Sequence, residues 1–155
     1  MISEFELGRI VGLIEADGCI SIARRRQPNG YITYSTRIEI ANSKKEILEH
    51  VKNQLGYGHI YLRNPAGKRG RRESWVLVIP SEMAEDFINM ILPHLIIKRR
   101  QAELVLEFIK IRKSRRCWKY DHEERKRIEE IIREIRKMNR NGVHLMKVMQ
   151  KSGLD

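Results

Sequence analysis

Ile10-Val11-Gly12-Leu13-Ile14-Glu15-Ala16-Asp17-Gly18 is the stretch on which the reading of this 155-residue chain turns. Its apolar residues fall at helical spacing, and just upstream Ser3 and Glu6 form a capping-box pattern. The pair predicts a helix that carries Phe5, Leu7, Ile10, Val11, Leu13 and Ile14 on its apolar positions and ends at Gly18. An acid, Asp17, then falls at the helix end, where a carboxylate can be held for a metal ion. Gly8, Gly12 and Ala16 recur every fourth residue as a small-residue stripe. Such a stripe lets two helix backbones approach closely, or it packs against the chain's own sheet.

Downstream the period changes from helical to alternating. Cys19 to Gln27 reads as a strand, Pro28-Asn29-Gly30 supplies turn residues, and Tyr31 to Ala41 returns as a second strand. Lys45 to Leu55 is helical through Ile47, Leu48, Val51 and Leu55, with Gly56 and Gly58 as stop signals. A second hairpin follows, His59 to Arg63 and Glu73 to Ile79, around a basic loop containing Pro65, Gly67 and Gly70. Pro80-Ser81-Glu82 opens a helix through Met83, Phe87, Ile88 and Ile91, which Pro93 interrupts before helical spacing resumes from Ile97 to Ile111. Asp121 and Glu124 form a second capping box leading into Ile128, Ile131, Ile132 and Ile135; the acids around His122 are thus a helix start rather than a metal cluster. A turn at Asn139-Arg140-Asn141-Gly142 and a short helix from Val143 to Met149 complete the pattern. This order predicts an α+β domain over 1–155, with a core of about 3–112, a C-terminal helical extension of about 120–151, and helices covering one face of an antiparallel sheet.

Composition narrows the partners. Thirty-one Lys and Arg against 20 Asp and Glu give a net charge of +11, which favours a polyanion and above all nucleic acid. No apolar run reaches membrane-spanning length and no secretory signal opens the chain, so no membrane partner and an intracellular, reducing location, cytoplasmic or organellar and not secreted, are expected. Cys19 and Cys117 form no CxxC pair and are expected as buried small hydrophobes. The abundance of Arg, Lys, Glu and Ile suits a thermophilic source. No HExxH, GKS/T loop or Ser-His-Asp arrangement is present.

Strand alternation puts Ile20, Ile22, Ile38 and Ile40 toward the helices and leaves Ser21, Ala23, Arg25, Gln27, Thr33, Ser35, Arg37 and Glu39 on the other face. That face is either an ordinary solvated sheet or a reading surface, since a two-stranded ribbon fits the major groove of B-DNA. The basic tip Lys68, Arg69 and Arg71 would meet phosphates, or is simply a solvated loop.

The opening stretch resembles the motif for which the LAGLIDADG homing endonucleases are named, with Ile10 and Val11 in place of its first two letters and Glu15 in place of its first aspartate. The resemblance implies an αββαββα fold with a saddle-shaped antiparallel sheet and extra C-terminal helices, and a metal-dependent endonuclease that makes a staggered double-strand break at a long, near-palindromic site, encoded within an intron or similar element. It implies Mg²⁺ as cofactor, with Mn²⁺ or Ca²⁺ as ions the same site would take and no small-molecule cofactor. Asp17 and the backbone carbonyl of Ala16 would be the metal ligands. Lys98, in Leu95-Ile96-Ile97-Lys98-Arg99-Arg100-Gln101-Ala102-Glu103-Leu104, resembles the family's active-site lysine; alone it would read as one more exposed cation. Asn42 resembles the polar, water-positioning residue, with a shorter reach than the family's usual glutamine. Lys44 or Lys45 resembles a nearby basic position. Tyr61, Arg63 and Arg72 join the suspected DNA-reading positions, and Arg140 the backbone contacts. Glu15, two positions from Asp17, points to another side of the helix and is expected in a structural ion pair.

Only one such motif occurs, whereas two DNA strands need two sites. The resemblance therefore implies a homodimer on double-stranded DNA, meeting along Gly8, Gly12, Leu13 and Ala16. Two other classes stay open: a nuclease-inactive RNA maturase or DNA-binding regulator on the same fold, and a nonspecific basic DNA-packaging protein, which would lose all preference once salt weakens phosphate contacts.

Overall fold

A computed structural model describes the backbone of residues 1–65, 72–115 and 117–151, and the side chains of these up to residue 139. The chain divides into two compact units, one of residues 1–106 and one from Glu107 onward. The first unit runs α1 (Glu4–Asp17), β1 (Gly18–Arg26), β2 (Ile32–Asn42), α2 (Lys45–Leu55), β3 (His59–Asn64), β4 (Ser74–Val78) and α3 (Ala84–Ile91); α4 (Arg99–Ser114) contains the boundary, and α5 (His122–Lys151) follows.

Local chemistry sets the joints between these elements. Ser3 accepts the Glu6 N–H at 3.3 Å, one half of the expected box, while the Glu6 carboxylate turns instead to Arg9 (2.9 Å) and His50 (2.8 Å). The β1–β2 turn closes through Gln27 N–H to Tyr31 O (2.7 Å) and needs Gly30 at φ +83, a conformation costly for any residue with a Cβ. Gly56 ends α2 in the left-handed conformation, φ +79. Pro93 sits in a 3-10 turn, Leu92–His94, between α3 and α4. Asp121 and Glu124 form the full reciprocal box, Glu124 N–H to Asp121 Oδ1 at 2.8 Å and Asp121 N–H to Glu124 Oε2 at 3.0 Å.

The sheet order is β1-β2-β4-β3, antiparallel throughout. Register pairs Ile20 with Ile38 on one face, and Ser21 with Arg37, Ala23 with Ser35 and Arg25 with Thr33 on the other. Ile10 and Ile14 of α1, Leu48 and Val51 of α2, and Ile20, Ile38 and Ile40 of the sheet are buried, so α1 and α2 cover the apolar face as the alternation requires. In the second unit, Phe108 and Ile109 of α4 and Ile128, Ile131, Ile132 and Ile135 of α5 are buried, the latter at helical spacing.

Three expectations are corrected. α5 runs unbroken through 139–142, because asparagine and glycine in a helix interior cost only about 1 kcal/mol, less than a break demands. Phe5 is 72% exposed rather than in the core. Cys117 is exposed, its thiol donating to the Lys119 carbonyl at 3.3 Å, and Cys19 is half-buried. Both thiols are free.

Candidate active site and nucleic-acid interface

The end of α1 is held from outside the helix. Lys98 Nζ donates to three carbonyls around this end, Ile14 O (2.7 Å), which also accepts the Gly18 N–H, Glu15 O (2.9 Å) in the last turn, and Gly18 O (2.7 Å) at the start of β1. An ammonium has three hydrogens, so this set uses them all. Burial lowers the Lys98 pKa, against the opposing pull of the Cys19 thiol, Glu15 and Asp17. Lys98 is therefore not one more solvated cation of its Lys-Arg-Arg run; it caps α1, and the Ala16 carbonyl is not among its acceptors.

Glu15 faces the opposite way across the same joint. Its carboxylate accepts the N–H groups of Ile96 (3.2 Å), Ile97 (3.0 Å) and Lys98 (2.9 Å), which lead into α4. The expected role, structural and separate from Asp17, holds, but the partners are backbone amides at the start of a helix rather than a cation. Gly18 closes the joint by size: an added Cβ would lie 2.5 Å from Ile14 O and 2.6 Å from its Cα.

Beyond this joint Asp17 is exposed. It lines an open depression with Ala41, Asn42, Ser43, Arg72, Glu73 and Ser74. Asn42 thus comes to Asp17 as expected, its Oδ1 accepting the Lys44 N–H at 2.9 Å. Arg72, one of the suspected DNA-reading positions, also lines this depression, and its local sequence did not mark that placement, which depends on where β4 begins. Lys45 is engaged by Glu49 (3.0 Å) and by the Trp75 ring (4.9 Å). Among the described residues, no three of His, Cys, Asp and Glu gather as a metal cluster.

Gly8, Gly12 and Ala16 are exposed, and a Cβ at either glycine would meet nothing within 4 Å. The stripe therefore does not pack against the chain's own sheet. Leu13, half-buried, borders it.

The open sheet face carries the expected polar set. Gln27 donates to Thr33 Oγ1 at 3.0 Å, Thr33 to Arg25 O at 3.3 Å, and Ser21 to Arg37 O at 3.5 Å. Arg25 and Ser35 are exposed, Ala23 is half-buried, and Tyr61 is 47% exposed. Glu39 departs from this pattern: it is buried between Arg37 and Arg63. The Glu39 hydrogen bond raises the Arg37 pKa above its ordinary value. Lys68, Arg69 and Arg71 lie outside the described residues, as does the Arg140 side chain. No helix of the described residues is long and apolar enough to cross a membrane.

The first unit thus sets a four-stranded antiparallel sheet, with helices on one face and an arginine-bearing polar surface on the other, beside a helix that ends in an exposed acid. The sequence model of the LAGLIDADG endonucleases matches residues 10–96, more than half of the chain, and the chain belongs to this family. It is 28% identical over 105 residues to the DNA endonuclease I-CvuI of Chlorella vulgaris, covering 65% of this chain and 62% of that one, so the match spans less than two thirds of that relative. Its fold is similar to I-CvuI in complex with the I-CreI target DNA (TM-score 0.71, 18% identity, 87% of this chain and 82% of that chain). It is similar also to the archaeal intron-encoded homing endonuclease I-Vdi141I complexed with DNA (TM-score 0.58, 22% identity, 88% and 98%).

Proposed function

We propose that this chain is a site-specific double-stranded DNA endonuclease, intron-encoded and metal-dependent, acting as a homodimer in which α1 of each subunit brings Asp17 to a shared centre. The observation that carries this reading is an exposed Asp17 at the end of α1, reached by an exposed Gly8-Gly12-Ala16 stripe with open space over both glycines. One carboxylate is a thin site for cutting two strands, and a two-fold axis along the stripe would double it. A symmetric pair calls in turn for a palindromic or nearly palindromic target.

The donor set fits a hard cation such as Mg²⁺, which takes one or two carboxylates with the rest of its shell from carbonyl, water and phosphate oxygens. Asp17 and the Ala16 carbonyl would hold it. When bound, the ion supplies charge neutralisation at the attacking and leaving oxygens of the phosphodiester. The protein's share is positional: Lys98 and Glu15 fix the end of α1, Asn42 offers an amide donor beside Asp17, and Arg72 offers a cation to the phosphate in the same depression. The open sheet face would lie in the major groove.

The test is cleavage, with Mg²⁺, of a duplex spanning the intron-insertion site of the host gene. Asp17→Asn is expected to keep binding and lose strand scission. A folded Asp17→Asn chain that still cuts removes Asp17 from the mechanism, and a wild-type chain that binds tightly without cutting replaces the nuclease with a binding protein.

A further inference from the structure

Glu39 lies in β2 on the open face, where an acid is expected to accept from the amino group of cytosine. Its side chain is only 10% exposed, and both oxygens are taken. Arg37, two residues earlier on the same face, donates from Nε to Oε1 (3.0 Å) and from Nη2 to Oε2 (3.3 Å). Arg63, on the edge strand β3, reaches across β4 and donates from Nη2 to Oε2. A carboxylate that is buried and already accepts three hydrogen bonds, of about four it can take, is a poor reader of bases.

The arginines have the opposite character. Arg37 is 52% exposed and Arg63 36%. Arg37 presents the side of its guanidinium to Glu39, which leaves Nη1 and the second Nη2 hydrogen as an outward fork. That fork matches two adjacent acceptors, and in the major groove only guanine offers such a pair, N7 and O6. Two guanidiniums against one carboxylate keep the cluster cationic toward DNA. A guanidinium held in this way has lost its rotamer freedom on folding rather than on binding, so the geometry it presents is selective.

We propose that Glu39 is a specificity-determining positioning residue that holds Arg37 and Arg63 as a paired reader of guanine in the target. The proposal rests on the endonuclease reading above, and it assigns guanine to two positions in each half-site. A phosphate would also fit the fork, but the cluster stands on the face of the sheet that would enter the groove, where base edges lie, rather than on its rim.

The test is selection for binding from a randomised duplex pool, run with the wild-type chain, Glu39→Gln, Arg37→Lys and Arg63→Lys, each first shown folded by its thermal melt. Wild-type selection is expected to return guanine at two fixed positions per half-site, with a preference of about tenfold or more. Glu39→Gln is expected to relax both positions together, and each lysine variant to relax one, because an ammonium has no fork. If Glu39→Gln does not fold, the two lysine variants decide. Guanine preference that survives in Glu39→Gln overturns the proposal. So does a lysine variant that lowers affinity for all duplexes equally, which would place that arginine on a phosphate. In either case, cleavage of the selected duplex by the wild-type chain leaves the nuclease reading standing, whereas a wild-type chain that selects nothing sinks both.

Discussion

Lys98 and Glu15 hold each other's backbone: Lys98 Nζ donates to the Glu15 carbonyl at 2.9 Å, while the Glu15 carboxylate accepts the Lys98 N–H at 2.9 Å. The exchange ties the C-terminus of α1 to the turn before α4. Each partner thereby satisfies backbone groups that a helix end leaves open. Asp17 is the next-but-one residue after Glu15, so the position of the proposed metal ligand depends on this joint.

Removing the ammonium should therefore cost stability. Lys98→Met removes three hydrogen bonds at once, leaving Ile14 O with only the Gly18 N–H and taking the ammonium from Glu15 O and Gly18 O, and the expected loss in urea unfolding is about 1–3 kcal/mol. Lys98→Arg should recover only part of it, since a planar fork cannot converge on three carbonyls as an ammonium does. Equal stability of Lys98→Met and wild type would show that the cap contributes nothing.

Glu15 gives the joint a pH dependence. Partial burial pushes its pKa up, but the N–H groups of Lys98, Ile97 and Ile96 and the Lys98 charge outweigh this and leave it below 4.5. A carboxylate with a lower pKa folded than unfolded contributes stability that is complete above the unfolded value and is lost as pH falls through the folded one. The stability difference between wild type and Glu15→Gln is thus expected to be steady from neutral pH to about 5.5 and to shrink below about 4.5. Urea titrations across that range decide, and a difference still undiminished near pH 3 would remove the carboxylate from the account.

The sequence made one half of this arrangement readable. Period-two alternation placed Ser21, Arg37 and their neighbours on one face, because a strand offers each side chain only two directions. The capping box at Asp121 was readable for the same reason, all its partners lying within one turn. Glu15 was not: its acceptor role is set by Ile96–Lys98, some eighty positions away, and no local spacing encodes that meeting. Glu39 shows the limit within a strand, since alternation gave its face but not Arg63 arriving from β3 to bury it. The break expected at 139–142 failed because local propensity there is a small term.

Gly18 tests the joint by size rather than charge. Its φ of −91 is open to any residue, but a Cβ would stand 2.5 Å from the Ile14 carbonyl oxygen, a backbone atom already bound by Lys98. Gly18→Ala should destabilise by about 1–3 kcal/mol through overpacking. A melting temperature equal to wild type would show that α1 and β1 shift apart without penalty.

Gly12 separates folding from assembly because the two predict opposite signs. Within one chain, an alanine at a helix-interior glycine gains about 0.5–1 kcal/mol, and at Gly12 the added methyl meets nothing within 4 Å. Between two copies packed along the stripe, the same methyl opposes the close approach of backbones. Gly12→Ala is therefore expected to resist urea better as a dilute chain yet dissociate at higher concentration than wild type in sedimentation runs, and Gly12→Leu should abolish association. Because Asp17 lies one helical turn and a residue beyond Gly12, cleavage should fall in step with the dimer and be rescued by raising protein concentration for the alanine variant only. Gly12→Leu that sediments as wild type does would put the interface elsewhere, and with it the shared centre.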